Sequence, residues 1–331
     1  MISDLLLAFL GLIILLLAGD SLVKGAVNLS LRLGVPALIV GLTIVAFGTS
    51  APELLVSVKA VLEGVPGIAL GNVVGSNIAN IFLVLGVPAI LSGLRTRECD
   101  TRRSYVTMIA ASFLFYVLIW FGPLTWWHGL VLLGMLTLIL GDNYVEARNH
   151  RRLQRDAADA AEAAREDAQA DIELEDLEGA DPFMPVWKIV MFLLLGVIGL
   201  PLGADLLVDG AVDIARVMGV SDTVIGLTLI AIGTSLPELA TTVMAAIRRQ
   251  ADVALGNVIG SNFFNLLAIM GITSLIGNVH IPDEMLKMDV PVMLGASILL
   301  APFVFRGWFM GKAVGTLFIA LYAAYVVKLI A

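Results

Sequence analysis

Charge is scarce in this sequence. Only 15% of the 331 residues are charged, against about 25% in a typical soluble domain. Apolar residues make up 59%, and the mean hydropathy is +0.96. A soluble monomer of this length has no way to hide so much apolar surface, so a lipid bilayer is the expected solvent. A cytosolic enzyme and a disordered chain are thereby excluded. The single cysteine, Cys99, rules out an internal disulfide and sits in a polar loop with no assigned role. Aromatics are only 7%, and long alternating segments are missing, which argues against an outer-membrane barrel. No basic face exists to neutralise phosphates, so nucleic acid is not an expected partner. The N-terminal Met1-Ile2-Ser3-Asp4 lacks the basic residues that open a signal peptide, so the first apolar run is expected to stay as a membrane span.

What charge there is clusters. Between Ala147 and Asp181 lie eleven acids and five arginines, which leaves the rest of the chain near neutral. This stretch lacks the Asp-x-Asp-x-Asp-Gly spacing of a calcium loop, and its Ala/Glu/Arg composition fits a solvated helix or linker. At a rise of about 1.5 Å per residue, about 20 residues cross the hydrocarbon core. On that ruler ten spans are predicted, at roughly 5–30, 37–62, 66–92, 104–121, 126–146, 184–212, 222–247, 252–277, 289–305 and 311–330. The first and sixth are long, which suggests tilt.

The chain also repeats itself. Shifted by 185 residues, positions 41–86 fall on 226–271 without a gap, with 22 of the 46 pairs identical. Gly48-Thr49-Ser50-Ala51-Pro52-Glu53-Leu54 meets Gly233-Thr234-Ser235-Leu236-Pro237-Glu238-Leu239. Gly71-Asn72-Val73-Val74-Gly75-Ser76-Asn77 meets Gly256-Asn257-Val258-Ile259-Gly260-Ser261-Asn262, and Asn80 meets Asn265. Five spans per half is an odd number, so the second half enters the membrane from the opposite side. The expected fold is all-α: ten transmembrane helices as two inverted five-helix repeats, 1–146 and 184–331, joined by an acidic linker at 147–183. Basic residues gather in alternate loops, from Arg32 through Arg95, Arg97, Arg102, Arg103, Arg248 and Arg249 to Arg306 and Lys312. The positive-inside rule then puts both termini outside the cell membrane and the central loop in the cytoplasm.

Glu53 and Glu238 fall inside apolar spans, where a carboxylate costs several kcal/mol and marks a functional site by default. One such residue beside a proline has a structural hydrogen-bonding role as the lesser reading; two in identical contexts leave that reading little room. Pro52 and Pro237 each lack an N–H and clash with the carbonyl four residues back, at Gly48 and Gly233, so both helices are expected to open there. Carbonyls of Ala46, Thr49, Ala231 and Thr234 are then free to line a polar cavity. With Ser50, Ser76, Ser235, Ser261, Asn80 and Asn265 they offer hard oxygen donors, and neither histidine nor cysteine joins them. Calcium takes six to eight such oxygens and sodium suits the carbonyls and hydroxyls, while a soft-metal site is unsupported. Asn72, Asn77, Asn257 and Asn262 fit equally a role behind the ligands or plain packing. Asp20 and Asp205 are expected near a span end or a water-filled path rather than on the ion, with Lys24 in reach of Asp20. His128, His150 and His280 are expected to be solvated.

The paired Gly-Thr-Ser-x-Pro-Glu and Gly-Asn-x-x-Gly-Ser-Asn motifs resemble the α-repeats of the cation/calcium exchanger superfamily, and the prokaryotic sodium/calcium exchanger branch in particular. The resemblance implies a secondary antiporter, not an enzyme, with calcium and sodium as transported ions, the bilayer as surroundings, no cofactor and no evident obligate protein partner. It implies that Glu53 and Glu238, with the carbonyls of Thr49 and Thr234, hold calcium. It further implies flanking sodium sites at Ser50, Ser76 and Ala46, and at Ser235, Ser261 and Ala231, with Asn80 at the centre. Many relatives have an aspartate where this chain has Asn265, so potassium cotransport is doubtful and the stoichiometry is not transferable. Proton-coupled exchange of calcium or another divalent cation is the alternative.

Overall fold

The computed structural model describes residues 2–99, 101–165, 181, 183–219 and 231–330. Its long helices are α1 (Ile2–Leu33), α4 (Pro66–Leu91), α5 (Arg102–Trp120), α6 (Trp126–Arg165), α7 (Val186–Val217), α9 (Ala251–Ile276), α10 (Asp283–Arg306) and α11 (Lys312–Ile330). The shorter α2 (Ala37–Thr49) and α3 (Ala51–Leu62) meet at a 45° bend. Downstream, a single turn at Ala231–Gly233 precedes α8 (Leu236–Ile247). Among the described residues eight helices are long and apolar enough to cross a membrane, and nine if α2 and α3 form one broken span. The predicted span 222–247 is described only from Ala231 onward, as the short turn and α8. Helix α6 runs past position 146 into the predicted linker, where alanine, glutamate and arginine favour helix; residues 166–180 of that linker lie outside the described residues.

Local chemistry sets the breaks. Gly34 takes φ +63° after α1, the left-handed turn that a side chain resists, and Pro36 then prevents the helix from continuing. Pro52 and Pro237 sit in the first turns of α3 and α8, where a missing N–H costs nothing. The expected opening is present in part: the chain bends at Ser50 and turns at Thr234–Ser235, but the Ala46 carbonyl is not freed, since the Ser50 N–H donates to it at 3.0 Å. Among the described residues three π-helical turns also interrupt the ladder, at Gly41–Val45, Asn80–Val84 and Asn265–Ile269. The last two start at equivalent repeat positions, inside α4 and α9.

Helices α4 and α9 are the most buried spans, and both glutamate helices pack on them. The long helices α1 and α7 lie against each other along the periphery. Their seam is built on small residues: a Cβ on Gly11 would stand 2.4 Å from the Leu207 backbone nitrogen, and one on Gly196 2.5 Å from Leu22 Cβ. Backbones approach this closely only where side chains are absent, which is how membrane helices gain dispersion contact without a hydrophobic drive. Outward faces carry Leu6, Phe9, Leu17, Trp187, Leu194 and Leu202, as a lipid-facing surface requires. Two backbone bridges cross between the repeats, Leu94 with Met310 and Leu124 with Val279.

Candidate ion-binding site

Glu53 and Glu238 are each the third residue of their half-helix, so the positive end of a helix dipole faces each carboxylate. Both are fully buried, and their charges are within electrostatic reach of each other. The spacing Ser50-x-x-Glu53 is that of a capping box, yet neither Ser50 nor Ser235 caps its own helix. Instead Ser50 Oγ donates across the repeats to Glu238 Oε1 at 3.1 Å. Backbone opening therefore frees a hydroxyl that a continuous helix would have used locally.

Ten buried side-chain atoms among the described residues have no hydrogen-bond partner, and seven belong to the expected site. They are both oxygens of Glu53, Oε2 of Glu238, Oγ of Ser235, Oδ1 of Asn80, and Oδ1 and Nδ2 of Asn265. Buried polar atoms are otherwise almost always paired, and six of these seven are oxygens. Six hard oxygens with two carboxylates among them are the ligand type that calcium prefers, and no soft ligand is mixed in.

The other expected members are also buried. Thr49 Oγ1 donates to Asn257 Oδ1 at 3.1 Å, lies 3.2 Å from the Ala46 carbonyl oxygen and 3.4 Å from Ser261 Oγ. Ser76 and Ser261 lie inside α4 and α9, and Ala46 is buried at the start of the turn leading to Thr49. Thr234 Oγ1 donates to Asn72 Oδ1 at 3.4 Å. Ala231 opens the turn before α8, and its side chain is outside the described residues. Asn80 Nδ2 donates to Asn262 Oδ1 at 3.1 Å, leaving its own carbonyl oxygen without a partner.

Sequence reasoning left the role of Asn72 and Asn257 open; the structure gives them work. Asn72 Nδ2 donates to the Glu53 carbonyl at 3.2 Å and to Ser57 Oγ at 2.9 Å. Asn257 Nδ2 makes the equivalent bonds to the Glu238 carbonyl at 3.4 Å and to Thr242 Oγ1 at 3.1 Å. Identity at matched repeat positions was the available signal, since Ser57 and Thr242 are also equivalent. Asn77, by contrast, turns back on its own helix, to the Val73 carbonyl at 2.7 Å.

One expectation is narrowed and one needs correction. Of the two placements expected for Asp20, a span end or a water-filled path, the first does not hold: it lies within α1, partly buried, paired with Lys24 at 3.2 Å and with Arg248 at the end of α8. A carboxylate at that depth finds a cation because an unpaired one is too costly. Its repeat equivalent Asp205 is exposed on α7. His128 is not solvated but buried, because Nδ1 accepts the Thr125 backbone N–H at 3.0 Å at the start of α6 and the ring stacks on Trp127.

Comparison with known proteins agrees with this geometry. A family model described as sodium/calcium exchanger protein matches residues 3–141 and 188–331. The sodium/calcium exchanger MaX1 of Methanosarcina acetivorans is 34% identical over 98% of this chain and 97% of its own length. The putative antiporter CaxA of Alkalimonas amylolytica is 37% identical over 88% of this chain and 86% of its own. The solved structure of the sodium-calcium exchanger NCX_Mj, soaked with zero sodium and calcium, superposes with a TM-score of 0.77 at 31% identity over 99% of both chains. With paired opened helices, paired buried glutamates and likeness along its whole length, the chain belongs to the sodium/calcium exchanger family.

Proposed function

We propose that this protein is a ten-helix secondary antiporter that moves calcium against sodium across the cell membrane by alternating access. Its two five-helix repeats, 1–146 and 184–331, are inverted relative to each other, and 147–183 is a cytoplasmic linker with both termini on the opposite side. The observation that carries the reading is the set of unpartnered buried oxygens on Glu53, Glu238, Ser235, Asn80 and Asn265. In this reading Glu53 and Glu238 are the central calcium ligands, joined by the carbonyls of Thr49 and Thr234. Ser50, Ser76 and the Ala46 carbonyl take sodium on one flank, and Ser235, Ser261 and the Ala231 carbonyl on the other, with Asn80 and Asn265 between.

Exchange follows from shared ligands. Calcium and sodium compete for the same two carboxylates, so one displaces the other at a single site. An empty site leaves two carboxylates facing each other with no counter-charge, which disfavours its crossing the bilayer unloaded. Half-helix N-termini face the acids without fixing them to a lysine or arginine, so a bound cation stays exchangeable.

Calcium-45 uptake into proteoliposomes under an imposed sodium, proton or potassium gradient tests the reading. Uptake driven by outward sodium alone supports it. Uptake that follows only a proton gradient establishes the proton-coupled alternative, and uptake without any counter-ion establishes a channel.

A further inference from the structure

Each of the two amides behind the glutamates uses both of its N–H groups and its carbonyl oxygen. In Asn72 and Asn257 both N–H groups serve the residue's own repeat, one on the glutamate's backbone carbonyl and one on a hydroxyl. A carbonyl can only accept, so the amide orientation is fixed and its oxygen faces the opposite repeat. There Asn257 Oδ1 accepts from Thr49 and Asn72 Oδ1 accepts from Thr234. Glue within one repeat would end at Ser57 and Thr242; these contacts do not.

On one side the contacts close a ring. Asn257 holds the Glu238 carbonyl and the Thr49 hydroxyl, Thr49 is joined to Ser50, and Ser50 Oγ returns to the Glu238 carboxylate. On the other side Asn72 holds Glu53 and Thr234, but among the described residues Ser235 Oγ and both Glu53 oxygens have no partner, so the equivalent ring is not closed there. We infer that Asn72 and Asn257 are positioning residues of the exchange site, reciprocal amide clasps through which each repeat sets the opened turn of the other. A cation drawn to Glu238 shifts Ser50 and Thr49, and Asn257 returns that shift to the backbone of Glu238. The clasps thus make the two halves respond together, which in exchange appears as steepness of the sodium dependence. The inference rests on the exchanger reading for the identity of the ions, not for the coupling.

The test uses the full-length protein in proteoliposomes and compares wild type, Asn257→Ala, Thr49→Val and the double variant. Thr49→Val removes the hydroxyl and keeps both shape and backbone carbonyl, so it carries the test if Asn257→Ala folds poorly. Each single variant is expected to raise the sodium midpoint for calcium release by about threefold to tenfold, the range of coupling through packed networks. The Hill coefficient should fall toward about 1. The double variant should match either single, since both remove one clasp. A purely structural role predicts lower turnover at unchanged steepness, and that result, or additive effects, overturns the inference. If no sodium gradient drives uptake in wild type, the exchange reading fails alone. The clasp is then judged on the calcium-induced rise in melting temperature, where equal, non-additive losses support it and unchanged or additive shifts refute it.

Discussion

Replacing Glu53 with Gln should have two effects of opposite sign. Glu53 is fully buried, and among the described residues neither of its carboxylate oxygens has a partner. The substitution conserves volume and removes one of two formal charges facing the cation. At an effective dielectric of about 20, a unit charge and a divalent ion about 3 Å apart attract by roughly 11 kcal/mol gross. Dehydrating the carboxylate and the cation together offsets about 7–8 kcal/mol of this. A net loss of about 3–4 kcal/mol remains, which is a factor of about 100 to 1,000 in calcium affinity. Without calcium the sign reverses. A neutral amide in place of an unpaired buried carboxylate relieves its repulsion with Glu238, so the ion-free variant should be more stable than wild type by about 1–3 kcal/mol. Calorimetric calcium titration and melting curves in detergent, with and without calcium at pH 8, read both effects from one preparation. A misfolded variant would lose both. Calcium affinity within threefold of wild type, or an ion-free melting temperature below wild type, would refute the assignment of Glu53 as an ion ligand held at electrostatic cost.

Glu238→Gln should weaken calcium similarly but gain less ion-free stability, because Glu238 Oε1 already accepts the Ser50 hydroxyl; equal gains in melting temperature would contradict that asymmetry. Gly203→Val should destabilise the seam between α1 and α7 by more than about 1–3 kcal/mol, since even a Cβ would lie 2.7 Å from the Leu15 backbone nitrogen; an unchanged melting temperature counts against backbone contact there. Asp20→Asn and Arg248→Gln should each cost about 1–3 kcal/mol and be non-additive together, as an ion pair about one-fifth exposed requires. His128→Ala should lose about 1 kcal/mol through the start of α6, whereas His280→Ala, at an exposed position, should lose nothing measurable in the same assay.

The repeat made much of this architecture legible before any coordinates. A proline four residues after a glycine, beside an acid, at two positions 185 apart, located the opened helices and both glutamates. Those signals are local, and local chemistry survives folding. The π-helical turns at Asn80 and Asn265 left no such trace, because an extra residue in a helical turn is a response to packing against neighbours. The contacts of Asn72 with Thr234 and of Asn257 with Thr49 were equally hidden, as was the pairing of Asp20 with Arg248. Each joins residues more than 150 positions apart, and hydropathy reports depth, not neighbours. His128 misled for a similar reason: a span end is usually wet, but here the first turn of α6 folds the imidazole onto Trp127.

The two bridges between loops have a consequence for how such a molecule can be divided. Leu94 pairs with Met310 and Leu124 with Val279, so each half lends the other a short edge of main chain. Severed into separate polypeptides, either piece would expose carbonyls and amides that only its sibling can satisfy. Co-expressed fragments should therefore reassemble, while a lone fragment should leave these short edges of main chain open to pairing with a second copy of itself.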